Sequence, residues 1–179
     1  MWVNQTCGGT IDITWQENST GGWVTRQTNN SVPADTSHNW TFAQASSYST
    51  KYWWRVYANA SGCNVSATYH FTTVSNNVPV VSNPYPSNES TDVGLVVSIG
   101  VTVADADGHS MNITWCTNAS GGWQQIGLNH TNIQGGTYYK IDAVNFEKYN
   151  TTYWWSVNVT DGFDWTNRTY SFTAEDEPD

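Results

Sequence analysis

The chain has 179 residues, of which only 12% are charged; six Lys and Arg stand against fifteen Asp and Glu, for a formal net charge of -9. Six cations cannot build the clustered basic surface that a phosphate backbone requires, which excludes nucleic acid as a partner. No apolar run reaches the roughly 18 residues of a membrane helix, and no basic n-region followed by an apolar h-region opens the chain, so no membrane insertion by this segment and no visible signal peptide are expected.

In chain order, MWVNQTCGGTIDITW (Met1 to Trp15) alternates apolar and polar residues and begins as if part-way along a strand. IDITWQENSTGGW (Ile11 to Trp23) has a near copy at MNITWCTNASGGW (Met111 to Trp123), identical at seven of thirteen positions. STKYWWRVYANASGC (Ser49 to Cys63) matches NTTYWWSVNVTDGFD (Asn150 to Asp164) at an offset of 101, so a module of about 100 residues recurs. VPVVSNPYPSNESTDVGLVVSIG (Val78 to Gly100) belongs to the second half alone, and its Pro84 and Pro86 predict a linker running into a Pro-interrupted edge strand. VVSIGVTVADA, MNITWCT, TTYWWSVNVT and TYSFTA are short, rich in Val, Ile, Thr and aromatics, and bounded by Gly, Asn, Asp and Ser; no segment sustains a helical period. The expectation is all-β, with two tandem antiparallel β-sandwich domains. Residues 1–75 form the first, which lacks its N-terminal strand or strands; a neighbouring subunit or preceding sequence would complete it. Residues 76–90 form the linker and first strand, and residues 91–179 the second domain.

The densest motif is Asn-x-Ser/Thr. Asn4, Asn18, Asn29, Asn39, Asn59, Asn64, Asn88, Asn112, Asn118, Asn129, Asn150, Asn158 and Asn167 each begin one with no Pro between, which is 13 of 19 asparagines. Chance pairing with the 41 Ser and Thr would give about four, so the excess is about threefold. The alternative, accidental sequons in an Asn- and Thr-rich β-protein, does not reach that density. Covalent N-glycans, and hence an extracellular or cell-surface location, are expected.

Period-two alternation puts Met111, Ile113 and Trp115 on one strand face and Asn112, Thr114 and Cys116 on the other. In the later strand Tyr153, Trp155, Val157 and Val159 share a face opposite Trp154, Ser156 and Asn158. Acceptor asparagines thus fall on polar faces, where a sugar must be. Trp15, Trp54, Trp115 and Trp155 are expected in the core, and Trp40, Trp53, Trp154 and Trp165 outside, either stacking on the chain's own glycans or forming a platform for cell-surface glycans.

The pattern T-x-Y-x-W-x-V-x-A/V-x-D-G is met by Tyr153, Trp155, Val157 and Asp161-Gly162, and in part by Tyr52, Trp54 and Val56; SFTA closes the last strand. Together with DADG after an earlier strand, these residues resemble the fibronectin type III and Ig-like sandwich modules of secreted bacterial and archaeal surface proteins. The resemblance implies that the loops DADGHS and TDGFD share one end of the second domain, beside the incoming linker. Asp105, Asp107, Asp161 and Asp164 could there hold Ca²⁺, with His109 nearby; the competing reading is that Asp-Gly merely makes turns. Cys7 aligns with Asp107 and Cys63 with Asp164, while Gln5 and Ala60 replace Asp105 and Asp161, which suggests a Cys7–Cys63 disulfide in the first domain and an unpaired Cys116.

Scattered histidines (His38, His70, His109, His130) and the absence of a nucleophile elbow or His-Glu-x-x-His leave no catalytic residues to name. The expected function is a non-catalytic repeat segment of a heavily N-glycosylated surface protein or self-assembling filament, partnered by copies of itself. The alternatives are a carbohydrate-binding or adhesin module, and accessory domains of a secreted hydrolase.

Overall fold

The computed structural model describes residues 9–34, 36–60, 62–127, 129–140 and 146–179, and all regular structure among them is β-strand. The chain divides into two compact units, Met1–Ser75 and Asn76–Asp179.

Unit 1 holds β1 (Thr10–Glu17), β2 (Val24–Pro33), β3 (Lys51–Ala60) and β4 (Cys63–Thr72) in one antiparallel sheet of order β2-β1-β3-β4. Ile11, Ile13 and Trp15 of β1 and Val56, Ala58 and Ala60 of β3 alternate onto one face and form its buried cluster. The connection from β2 to β3 crosses that face. Trp40 lies 6.3 Å from Trp15, and Phe42 meets Tyr52 at 5.6 Å and Phe71 at 5.1 Å. Trp40 is therefore packed inward rather than outward as the sequon around it suggested; in extended chain the exposed Asn39 and its neighbour point to opposite sides.

Unit 2 holds β5 (Val80–Tyr85), β6 (Ser90–Val93), β7 (Ile99–Ala104), β8 (Met111–Thr117), β9 (Gln124–Gln125), β10 (His130–Ile133), β11 (Gly136–Lys140), β12 (Thr152–Thr160) and β13 (Trp165–Ala174). One sheet runs β10-β8-β12-β13-β6 with β9 beside β8, and the other β11-β7-β5. All pairings are antiparallel except β6 on β13. Ile99, Val101 and Val103 from the smaller sheet interleave with Ile113, Trp115, Trp155, Val157 and Phe172 from the larger, and all are buried. Two sheets sharing one core make a β-sandwich, and the division into β5, β7, β11 against β8, β12, β13 is the Ig-like one.

Two details reinforce that architecture. The Tyr153 hydroxyl accepts from the Lys148 backbone N–H at 2.8 Å, and the Tyr52 hydroxyl from Ser47 N–H at 3.1 Å, each reaching five residues upstream as in the tyrosine corner of Ig-like domains. Two positions beyond each tyrosine, where antibody domains carry a disulfide cysteine, stand Trp54 and Trp155. Trp155 stacks on Trp115 at 6.4 Å, and Trp54 lies against Trp15 at 5.8 Å with the rings tilted by 33°. In unit 2 both members of the pair are fully buried at the centre of the core, whereas in unit 1 Trp54 is only partly buried beside Trp15.

Candidate functional site

Strand alternation decides where the sequon asparagines lie. Of the twelve in the described residues none is buried: Asn39, Asn59, Asn64, Asn88, Asn112, Asn129, Asn150 and Asn167 are exposed, and Asn18, Asn29, Asn118 and Asn158 half-buried. Asn4 lies outside the described residues. Two pairs face each other directly across strands, Asn59 with Asn64 and Asn158 with Asn167.

The amide groups are used asymmetrically. Oδ1 accepts a backbone N–H at Asn18 (from Trp53, 3.2 Å), Asn88 (Ser171, 3.0 Å), Asn112 (Asn132, 2.8 Å) and Asn118 (Trp154, 3.0 Å). At Asn29 and Asn129 it accepts from Gln27 and Gln125. A backbone N–H can only donate, so the oxygen is fixed toward the protein in the first four. Among the described residues the side-chain amides that do donate through Nδ2 are Asn76, Asn77 and Asn83, none of which begins a sequon. Nδ2 is the atom a glycan replaces a hydrogen on, and the sequon asparagines leave it uncommitted.

A second constellation gathers at the end of unit 2 where residues 76–79 lead in. DADGHS follows β7 and TDGFD joins β12 to β13. Asp105 Oδ1 accepts from the N–H groups of Asp107 (3.0 Å) and His109 (2.9 Å), and Asp161 Oδ1 from those of Phe163 (2.8 Å) and Asp164 (2.7 Å). These bonds are Asx turns, and Gly108 and Gly162 take the positive φ that each turn needs, +76° and +92°. Asn76 Nδ2 donates to both Asp161 Oδ2 and Asp164 Oδ2 at 2.8 Å. Asn77 donates to Asp107 through its backbone N–H at 2.7 Å and Nδ2 at 2.9 Å. His109 Nδ1 lies 3.4 Å from Asp105 Oδ1 and 3.9 Å from Asp161 Oδ2. Burial pushes the Asp161 carboxyl up, but bonds from Asp164, Asn76 and Phe163 outweigh it and hold it below the usual aspartate value. The Asn77 bonds lower Asp107 in the same way.

All four expected aspartates therefore converge. What the sequence did not disclose is that Asn76 and Asn77, two asparagines outside any sequon in a presumed linker, bond to three of them, Asn76 to Asp161 and Asp164 and Asn77 to Asp107. Their lack of a following Ser or Thr, in a chain where most asparagines have one, was the available signal.

Cys63, aligned with Asp164, is disulfide-bonded, and Cys116 is a free thiol. Cys7 lies outside the described residues, so its pairing with Cys63 stands as a proposal. Cys116 sits half-buried opposite Ser156, and burial pushes its thiol up, which makes it a poor nucleophile. Trp53, Trp154 and Trp165 are exposed, as alternation implied. In unit 1, Trp15, Trp40, Phe42, Trp54, His38 and Asn39 line a cleft of about 310 Å³. Trp15 Nε1 is buried with no acceptor among the described residues.

No protein family's sequence profile matches the chain, and no curated protein matches it in sequence. Solved structures similar to it include a titin fragment (15% identity, 93% of this chain and 85% of the other, TM-score 0.37). Others are the chicken CNTN1 FN1–FN3 domains (16%, 94% and 57%, 0.34) and the chicken interferon gamma receptor alpha chain (11%, 98% and 89%, 0.37). The fold assignment rests on the strand order, shared core and tyrosine corners of the chain itself.

Proposed function

We propose that the chain is a non-catalytic structural segment of a heavily N-glycosylated extracellular surface protein or filament, joined to further copies of itself or to like modules. The observation that carries this is the amide asymmetry: twelve sequon asparagines lie outside the cores, and none donates through the atom that would bear the sugar. Sugars on these faces would supply solubility and protease resistance that a chain with 12% charged residues lacks. The density of sequons points to a host that glycosylates as heavily as archaeal surfaces do. The mass of protein purified from its own source, measured before and after enzymatic or chemical removal of N-glycans, tests the reading: a loss of several kilodaltons for each 19.9 kDa of this sequence is expected, and an unchanged mass would overturn it.

One observation favours a second reading, a carbohydrate-binding module. The unit 1 cleft has aromatic walls, Trp15, Trp40, Phe42 and Trp54, with His38 and Asn39 as polar groups at its lining, the kind of surface on which a sugar ring stacks. Binding on a glycan array that disappears in Trp40→Ala would support it; no binding by the deglycosylated protein would leave the structural role alone.

A further inference from the structure

We propose that unit 2 carries a Ca²⁺ site at its lead-in end, formed by Asp105, Asp107 and Asp161 together with the side-chain oxygen of Asn76. The side chains of Asp105 and Asp161 are 1% and 0% exposed. Carboxylates taken out of water need a compensating charge. Among the described residues no Lys or Arg pairs with any of the four aspartates; the one basic group within reach is His109. One ligand atom each from Asp105, Asp107 and His109 lies within 4.8 Å of the others, a spacing that fits donors around a common centre, and Asp161 adjoins this group through His109, whose Nδ1 lies 3.9 Å from Asp161 Oδ2.

Turn formation does not account for all of this. An Asx turn uses one carboxylate oxygen, and both turns are satisfied by Oδ1 of Asp105 and Oδ1 of Asp161. Asp105 Oδ2 and Asn76 Oδ1 are buried and accept no hydrogen bond. Asn76 Nδ2 and the two N–H groups of Asn77 are already engaged with other oxygens, and the His109 ring stands beside Asp105 Oδ1 and Asp161 Oδ2, at 3.4 and 3.9 Å, rather than beside these two. Both oxygens belong to a group with more negative than positive charge, and a cation would satisfy them and offset that charge together. The available ligands are carboxylate and amide oxygens, the set a hard cation prefers, and Ca²⁺ accepts the irregular six to eight oxygens that three loops can offer once water fills the open positions. Asn76 then acts as the latch. It ties the segment before β5 to the loops after β7 and β12, and metal binding would fix that segment in place. Unit 1 lacks the site, because Gln5, Cys7, Ala60 and Cys63 stand at the aligned positions.

The test is calorimetric titration of the full chain, stripped with EGTA, with CaCl2, paired with thermal unfolding at 0 and 10 mM Ca²⁺. One ion per chain is expected, with an unfolding temperature raised by about 5 °C or more at 10 mM if affinity is in the range of extracellular modules. Asp105→Asn keeps an oxygen for the two N–H groups and removes the buried charge. It should unfold in EGTA no lower than the parent and lose the Ca²⁺ shift. If Asp105→Asn does not fold, the exposed Asp107→Asn should weaken binding at least tenfold. Absence of heat and of any shift up to 10 mM Ca²⁺ would overturn the proposal, as would an undiminished response in the folded variant. Tighter binding of Zn²⁺ with none of Ca²⁺ would overturn the choice of a hard cation.

Discussion

Asn118 and Trp154 exchange two hydrogen bonds: the Trp154 N–H donates to Asn118 Oδ1 at 3.0 Å, and the Asn118 N–H to the Trp154 carbonyl at 3.1 Å. Asn18 and Trp53 do the same in unit 1, both at 3.2 Å. The asparagine that begins each copy of the repeated sequon turn is thus also the clamp that fastens the turn to the neighbouring strand. In unglycosylated recombinant protein, Asn118→Ala should cost about 1–2 kcal/mol, because the Trp154 N–H loses its partner. Ser120→Ala destroys the sequon but keeps the amide, and should stay within about 0.5 kcal/mol of the parent. Denaturant unfolding distinguishes the two.

Glu17, at the end of β1, is fully buried, and Arg26 donates to its Oε1 through Nε at 2.8 Å and approaches it with Nη2 at 2.6 Å; Ser19 N–H donates to Oε2 at 2.5 Å. Burial pushes the carboxyl up, but Ser19 and Arg26 together hold it below the ordinary value of 4.5. With the folded value the lower one, the unfolded chain gains protons first as pH falls. The Glu17 contribution is therefore complete above pH 4.5 and drains away below it. Arg26→Ala should destabilise unit 1 by about 3 kcal/mol at pH 7, since it strands a buried charge, and by less at pH 4. Urea unfolding at the two pH values measures both.

Trp115 Nε1 donates to His130 Nδ1 at 3.0 Å, which requires that nitrogen to be unprotonated. Burial, and secondarily the charge of Lys140, pushes His130 below its ordinary 6.5. The unfolded chain again binds the proton first, so this contribution is present above pH 6.5 and is lost as pH falls from there through the folded value. His130→Gln should flatten the pH dependence of unit 2 stability between pH 7.5 and 5.5 relative to the parent. Identical slopes for the two proteins would contradict it.

The repeat, the strand faces and the sequon surface were legible because each follows from local periodicity: Ile113, Trp115, Trp155 and Val157 alternate strictly, and a strand with one apolar face admits one orientation. The short strands β9, β10 and β11 were not, since Gln124 to Lys140 mixes Gln, Asn and Gly with no sustained alternation. The parallel pairing of β6 with β13 was equally hidden, because it joins Ser90 to Phe172 across more than 80 residues and leaves no mark in either segment. The inward packing of Trp40 and the role of Asn76 were hidden for a common reason. Their partners, Trp15 and the Asp161–Asp164 loop, are distant in sequence, and only the closed fold brings them together.

Site-by-site glycopeptide mapping of the protein from its own source tests the central claim most directly. The account predicts glycans on most of the twelve described sequon asparagines, including both members of at least one facing pair, Asn59 with Asn64 or Asn158 with Asn167, and bare Asn76, Asn77 and Asn83. Unmodified asparagines at Asn112, Asn118, Asn158 and Asn167 would contradict it.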